Sequence, residues 1–148
     1  MTDSSLYRDD SRVRHMLDAM ERITELSRGL EREQLRRHEG TTEMILFNLM
    51  VLGEAANNIT REFAEKNPDV DWKGLAGVRH KIVHDYADID YDTIWDILQN
   101  DIPVECEKVK AVAATLPPEP TLPPPNMADF LQPISNRETE MKGTAISH

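Results

Sequence analysis

One stretch of the chain gathers groups that could do chemistry together: Gly77-Val78-Arg79-His80-Lys81-Ile82-Val83-His84-Asp85-Tyr86. It sets cations, two imidazoles and a phenol side by side in a chain whose 27 Asp and Glu outnumber its 17 Lys and Arg, for a formal charge of −10. A guanidinium fork matches phosphate oxygens and stabilises charge that develops on them, and a histidine is the side chain suited to moving a proton near neutral pH. The residue types therefore point to a phosphodiester as the group acted on. The plainer reading of the same residues is a solvated basic flank of a helix with a structural histidine.

Spacing constrains how such a site could be built. On a straight helix Arg79 and His84, five residues apart, are about 140° apart around the axis, whereas Arg79 and Tyr86, or His80 and His84, nearly share a face. A single copy assembles a converged site poorly, but a two-fold dimer could bring the arginine of one chain to the histidine of the other. The same helix would set His80, His84 and Asp88 at i, i+4 and i+8, a possible ligand spacing for zinc. Asp88 falls near the expected helix end, no His-Glu-x-x-His is present and the single Cys106 offers no thiolate cluster, so no metal and no cofactor is expected.

The elements that must position these residues read as helices. Val13, Met16, Leu17, Met20, Ile23 and Leu26 recur at spacings of three and four, with Gly29 as a stop and a short continuation around residues 30–37. A second helix is expected over about 42–66, bounded by Pro68. Its apolar residues from Met44 to Leu52 surround the axis, which calls for neighbours on several sides, in a bundle or at a subunit interface. A third starts near Trp72 with Asp71 as N-cap and carries Leu75, Val78 and Ile82. A fourth follows Asp90 with Tyr91, Ile94, Trp95 and Leu98, is interrupted by Pro103 with a bend near Asp101, and restarts through Cys106, Val109 and Val112 to Leu116. No strand of useful length is expected. The fold class is all-α, a bundle of four or five helices over residues 1–116, followed over 117–148 by a proline-rich extended or disordered tail that holds seven of the nine prolines.

Charge is distributed unevenly. Residues 8–40 hold eight arginines against eight acids, while 41–116 hold 14 acids against seven bases, with the surplus concentrated between Asp85 and Glu107. Such a balance opposes a protein that coats nucleic acid through excess Lys and Arg, and leaves room for a local basic cleft. The amino-terminal residues lack a secretory pattern, no apolar run approaches the roughly 20 residues a spanning helix needs, and a lone cysteine suits a reducing compartment, so a soluble cytoplasmic protein is expected.

The order Arg79, polar His80, three further residues, His84, one residue, then Tyr86 resembles the R-x4-6-H-x-Y motif of HEPN domains, which are small helical ribonucleases. Gly53-Glu54-Ala55-Ala56, the block Trp72 to Arg79, His84-Asp85-Tyr86, and Ile94-Trp95 through Asn100-Asp101-Ile102-Pro103 are similar to the HepT branch, over roughly residues 8–116. The resemblance implies a HEPN-type bundle and a toxin of a type VII toxin and antitoxin pair, acting on RNA in the cytoplasm as a metal-independent endoribonuclease. Carried over, Arg79 and His84 would be catalytic, His80 the supporting polar residue, and Tyr86 the side chain that a minimal, MntA-like nucleotidyltransferase antitoxin modifies by AMPylation. A homodimer, within a larger hetero-oligomer when the antitoxin is bound, is the implied assembly. The competing reading is a non-enzymatic helical dimer that serves as adaptor or structural subunit for such a nucleotidyltransferase, and it leaves the Arg79 to Tyr86 cluster unexplained.

Overall fold

The computed structural model describes residues 3–37, 40–85 and 87–119. The described chain is helical apart from one short ribbon, as the all-α reading expects. Helix α1 (Asp3–Ser27) buries Val13, Met16, Met20 and Ile23 completely. It stops where Gly29 takes φ +74, a left-handed conformation that other residues adopt at a cost. A short α2 (Arg32–Arg36) follows, and α3 (Gly40–Asn57) then lies along α1 with Ile45, Leu49 and Leu52 fully buried between them. Each such side chain contributes about 1.5–3 kcal/mol on leaving water.

The expected helix over 42–66 is in fact two. After Asn57 the Asn58 side-chain amide turns back to the Glu54 carbonyl at 2.8 Å, and α4 (Arg61–Lys66) starts afresh with Thr60 as N-cap to the Phe63 amide. The junction is pinned from α1 by Asp9, which is 1% exposed and accepts from the Thr60 amide at 2.9 Å and its hydroxyl at 2.6 Å. The local bond of Asn58 competes with the helical ladder, and the tertiary hold of Asp9 on Thr60 fixes the break.

The third expected helix is also divided. Asp71 caps α5 (Trp72–Ala76) through the Gly74 amide, and the chain then turns at Gly77 into α6 (Val78–Ile82). A Cβ at Gly74 would meet the Asp71 carboxylate, which would have to swing aside to make room. Both short helices pack on α3 through buried Trp72, Leu75, Val78 and Ile82. The helix then ends, against expectation, at Ile82: Val83–Asp85 (β1) and Asp88–Ile89 (β2) form a two-stranded antiparallel ribbon.

The last helical run, α7 (Tyr91–Asp96) and α8 (Ile102–Ala114), is continuous, contrary to the interruption expected at Pro103. Residues Ile97–Asp101 widen into a π turn in which the Ile102 amide reaches the Ile97 carbonyl, five residues back. Pro103, which has no amide to donate, sits in the first turn of α8 directly after this change of register, where the missing bond is accommodated. Residues Met1–Leu116 make one compact unit. The proline-rich tail expected beyond it lies outside the described residues from Pro120 onward. Among the described residues no helix is long and apolar enough to cross a membrane.

Candidate functional site

Helix α6 presents Arg79, His80 and Lys81 to solvent while Val78 and Ile82 anchor it in the core. Arg79 and His80 line a cleft of about 380 Å³ between α3 and the α5–α6 turn, together with Met50, Gly53, Glu54, Asn57 and Lys73. The side chains of Lys73, Arg79 and His80 have no hydrogen bond or ion pair to other described residues. Gly53 lets α5 and α6 come close to α3: a Cβ there would be in ordinary contact with the Leu75 carbonyl at 3.6 Å, so alanine fits and only a longer side chain would crowd the cation-bearing helices.

His84 is placed by a different device. In the ribbon Val83 pairs with Ile89 and Asp85 with Asp88, so His84 is the one residue without a register partner, a β-bulge. A bulge frees a side chain from the strict alternation of a strand and re-aims it. The imidazole is half exposed, and its Nε2 lies 3.7 Å from Oδ2 of Asp90. His84 does not line the cleft that holds Arg79 and His80. Three helical and two extended steps separate Arg79 from His84, which keeps their Cα atoms within about 11 Å. The angular argument for a straight helix therefore does not apply beyond Ile82, and neither does the shared face of His80, His84 and Asp88. Among the described residues no group of three His, Cys, Asp or Glu side chains stands close enough to hold a metal ion. Tyr86 lies outside the described residues.

The first turn of α7 is the electrostatic hinge of this region. Asp90 caps it and Asp92, two residues on, receives both Arg32 at 2.8 Å and Arg36 at 2.6 Å on one oxygen, tying α2 to α7. Both carboxyls are held below the ordinary aspartate value. Asp90 is lowered by the backbone and hydroxyl hydrogen bonds from Thr93, with His84 adding, and Asp92 by Arg32 and then Arg36. Groups that bind a proton less readily when folded stabilise the fold above their unfolded pKa of about 4, and that stabilisation is lost as pH falls through their folded values. The thermal midpoint followed by circular dichroism is therefore expected to drop between about pH 4 and pH 2. Asp92→Asn should flatten part of that drop.

Comparison with known proteins bears on the same residues. The family profile described as "Ribonuclease HepT-like" matches residues 16–112, which include α3, the cleft, the ribbon and most of α8. The chain belongs to the HepT-like ribonuclease family. A provisionally named RNase of Methanocaldococcus jannaschii is 31% identical to the HepT-like chain over 97 residues, 66% of this chain and 80% of that one. Another of Caldanaerobacter subterraneus is 32% identical over 100 residues, 68% and 89% of the two chains. The probable ribonuclease HepT of Thermococcus cleftensis is 30% identical over 86 residues, 58% and 78% of the two. No solved structure matches.

Sequence reasoning left out three residues that the structure places in the cleft or beside His84. Lys73 and Asn57 join the cleft only because α3 and α5 pack closely, and Asp90, legible as a cap from its spacing to Thr93, meets His84 only through the ribbon.

Proposed function

We propose that the chain is a metal-independent endoribonuclease, the toxin of a toxin and antitoxin pair, acting as a homodimer on cytoplasmic RNA. The observation that carries this reading is the cleft lined by Lys73, Arg79 and His80, three basic groups with no hydrogen-bond or ion-pair partner among the described residues, in a chain of formal charge −10, with His84 presented on a bulge two residues beyond α6. In the reaction the ribose 2′-oxygen attacks the adjacent phosphorus as its proton leaves to a base, the bond from phosphorus to the 5′-oxygen breaks, and that oxygen takes a proton. The products are a 2′,3′-cyclic phosphate and a free 5′-hydroxyl. His84 moves the protons and Arg79 holds the charge on the equatorial oxygens. His80 supports Arg79 from the neighbouring position.

An exposed apolar stripe on α3 supports the dimer. Met44 and Phe47 are 55% and 66% exposed, and the half-buried Met50 and Val51 continue the stripe. Met50 is itself a lining residue of the cleft, so a second copy seated on the stripe would place two clefts side by side. The helix-wide apolar pattern thus divides into an inner face against α1 and an outer face suited to a subunit interface.

Tyr86, two residues after His84, is the proposed target of AMPylation by a minimal nucleotidyltransferase antitoxin. A nucleotide there would add bulk and negative charge two residues along the chain from His84. The reading is tested by incubating the purified chain with single-stranded RNA and DNA in excess chelator. RNA should be cut to cyclic phosphate ends and DNA spared, since DNA lacks the 2′-hydroxyl. Intact mass after co-expression with the antitoxin should rise by multiples of adenylate. Uncut RNA from an unmodified chain would sink the reading. Lys73 reaches the same cleft without touching the reacting bond, so Lys73→Ala should raise KM roughly three- to tenfold, leave kcat nearly unchanged and lessen the salt dependence of binding.

A further inference from the structure

His84 stands at a bulge, where the pleat no longer fixes the direction of its side chain, so another contact must. Asp90 is placed to supply it. The Asp90 amide donates to the Ile82 carbonyl at 2.8 Å, which closes the base of the ribbon. The Asp90 carboxylate is held from the far side, Oδ1 accepting from the Thr93 amide at 3.0 Å and Oδ2 from the Thr93 hydroxyl at 2.7 Å. The same Oδ2 faces Nε2 of His84 at 3.7 Å, with the carboxylate 34% and the imidazole 52% exposed. The charged groups on the elements adjoining β1 are Arg79, His80 and Lys81 of α6 and Asp88 of β2. Among the described residues only Asp90 comes within ion-pair distance of His84.

We propose that Asp90 is a positioning residue for His84: it faces Nε2, selects the neutral tautomer that carries its proton there, and leaves Nδ1 as the atom that exchanges protons with the RNA. A neutral imidazole has one donor and one acceptor nitrogen, and at 3.7 Å, beyond hydrogen-bond length, the negative carboxylate favours the tautomer whose proton lies on the nitrogen beside it. When Nδ1 takes the proton from the 2′-hydroxyl, both nitrogens donate and the same carboxylate stabilises the imidazolium until Nδ1 delivers a proton to the leaving 5′-oxygen. The role in turnover rests on the ribonuclease reading above, whereas the tautomer preference does not.

Two substitutions separate this role from helix capping. Asp90→Ser keeps a capping oxygen for the Thr93 amide but is too short to reach His84, and Asp90→Asn keeps the cap through its single amide oxygen while turning its NH2, a donor, toward His84. Nitrogen-15 NMR of the full chain, with the His84 signals assigned by their loss in His84→Ala, reads the tautomer at a pH where the ring is neutral. The wild type should carry its proton on Nε2, the serine variant should show a mixture, and the asparagine variant, with a donor beside Nε2, should move the proton toward Nδ1. In RNA cleavage the serine variant should lose roughly tenfold in kcat, part of the 10²–10⁴ a proton-transfer group supplies, at unchanged KM. Asparagine should lose at least as much, since Nδ1, the atom that exchanges protons, would then already carry one. A wild-type ring protonated on Nδ1, or a serine variant with the wild-type spectrum, overturns the inference whether or not the chain cuts RNA. A shifted tautomer with an unchanged kcat overturns the positioning role. A chain with the expected spectrum that leaves RNA intact overturns the ribonuclease reading instead, and with it the part assigned to the pair in turnover.

Discussion

His84→Ala is expected to lower kcat for RNA cleavage by about 10³-fold, within the range supplied by a positioned proton-transfer group, with little change in KM. The fold should survive, because His84 is half exposed on a two-stranded ribbon and belongs to no part of the buried core. Arg79→Ala should be comparably severe, and Arg79→Lys should recover little, since an ammonium cannot reproduce the two-pronged contact of a guanidinium with phosphate. Circular dichroism and thermal melting of each variant separate lost chemistry from lost structure. Retained cleavage in a folded His84→Ala protein would remove the histidine from the mechanism.

Phe47→Asp should also cripple cleavage, without touching either residue. Its side chain is 66% exposed, so within one chain the substitution costs little, whereas at a two-fold interface it would set like charges against each other and forfeit about 1.5–3 kcal/mol of apolar burial per subunit. Sedimentation velocity should show the wild type as a dimer and the variant as a monomer with unchanged helicity, and activity should fall by at least roughly 10²-fold because each site loses a partner residue. A monomeric variant that still cuts RNA would show that one chain suffices.

Much of the scaffold was legible in the residues alone. The three-and-four spacing from Val13 to Ile23 marks a buried helical face, and Gly29 marks its end, because these signals are local. The breaks that shape the site were not legible, because tertiary contacts make them. Thr60 starts a new helix under the hold of Asp9, 51 residues away along the chain. The exit from helix at Val83 depends on Asp90 meeting Ile82 across the ribbon, and a straight-helix projection then misplaces every residue beyond Ile82. Pro103 failed as a signal for a different reason. A π turn absorbs its missing amide and the helix goes on. The cleft shows the same division: Arg79 and His80 are found by residue type and order, while Lys73 and Asn57 enter through the packing of α5 on α3.

Mixing two dead variants asks most directly whether arginine and histidine come from different subunits. Arg79→Ala and His84→Ala chains are each inactive as homodimers in this account, but in a mixed dimer one of the two shared sites receives an intact arginine from one subunit and an intact histidine from the other. With random exchange, half of the dimers are mixed and half of their sites are whole, so cleavage should return to about a quarter of the wild-type rate. Activity that stays at background in a mixture shown by native mass spectrometry to contain mixed dimers would contradict a site shared between subunits.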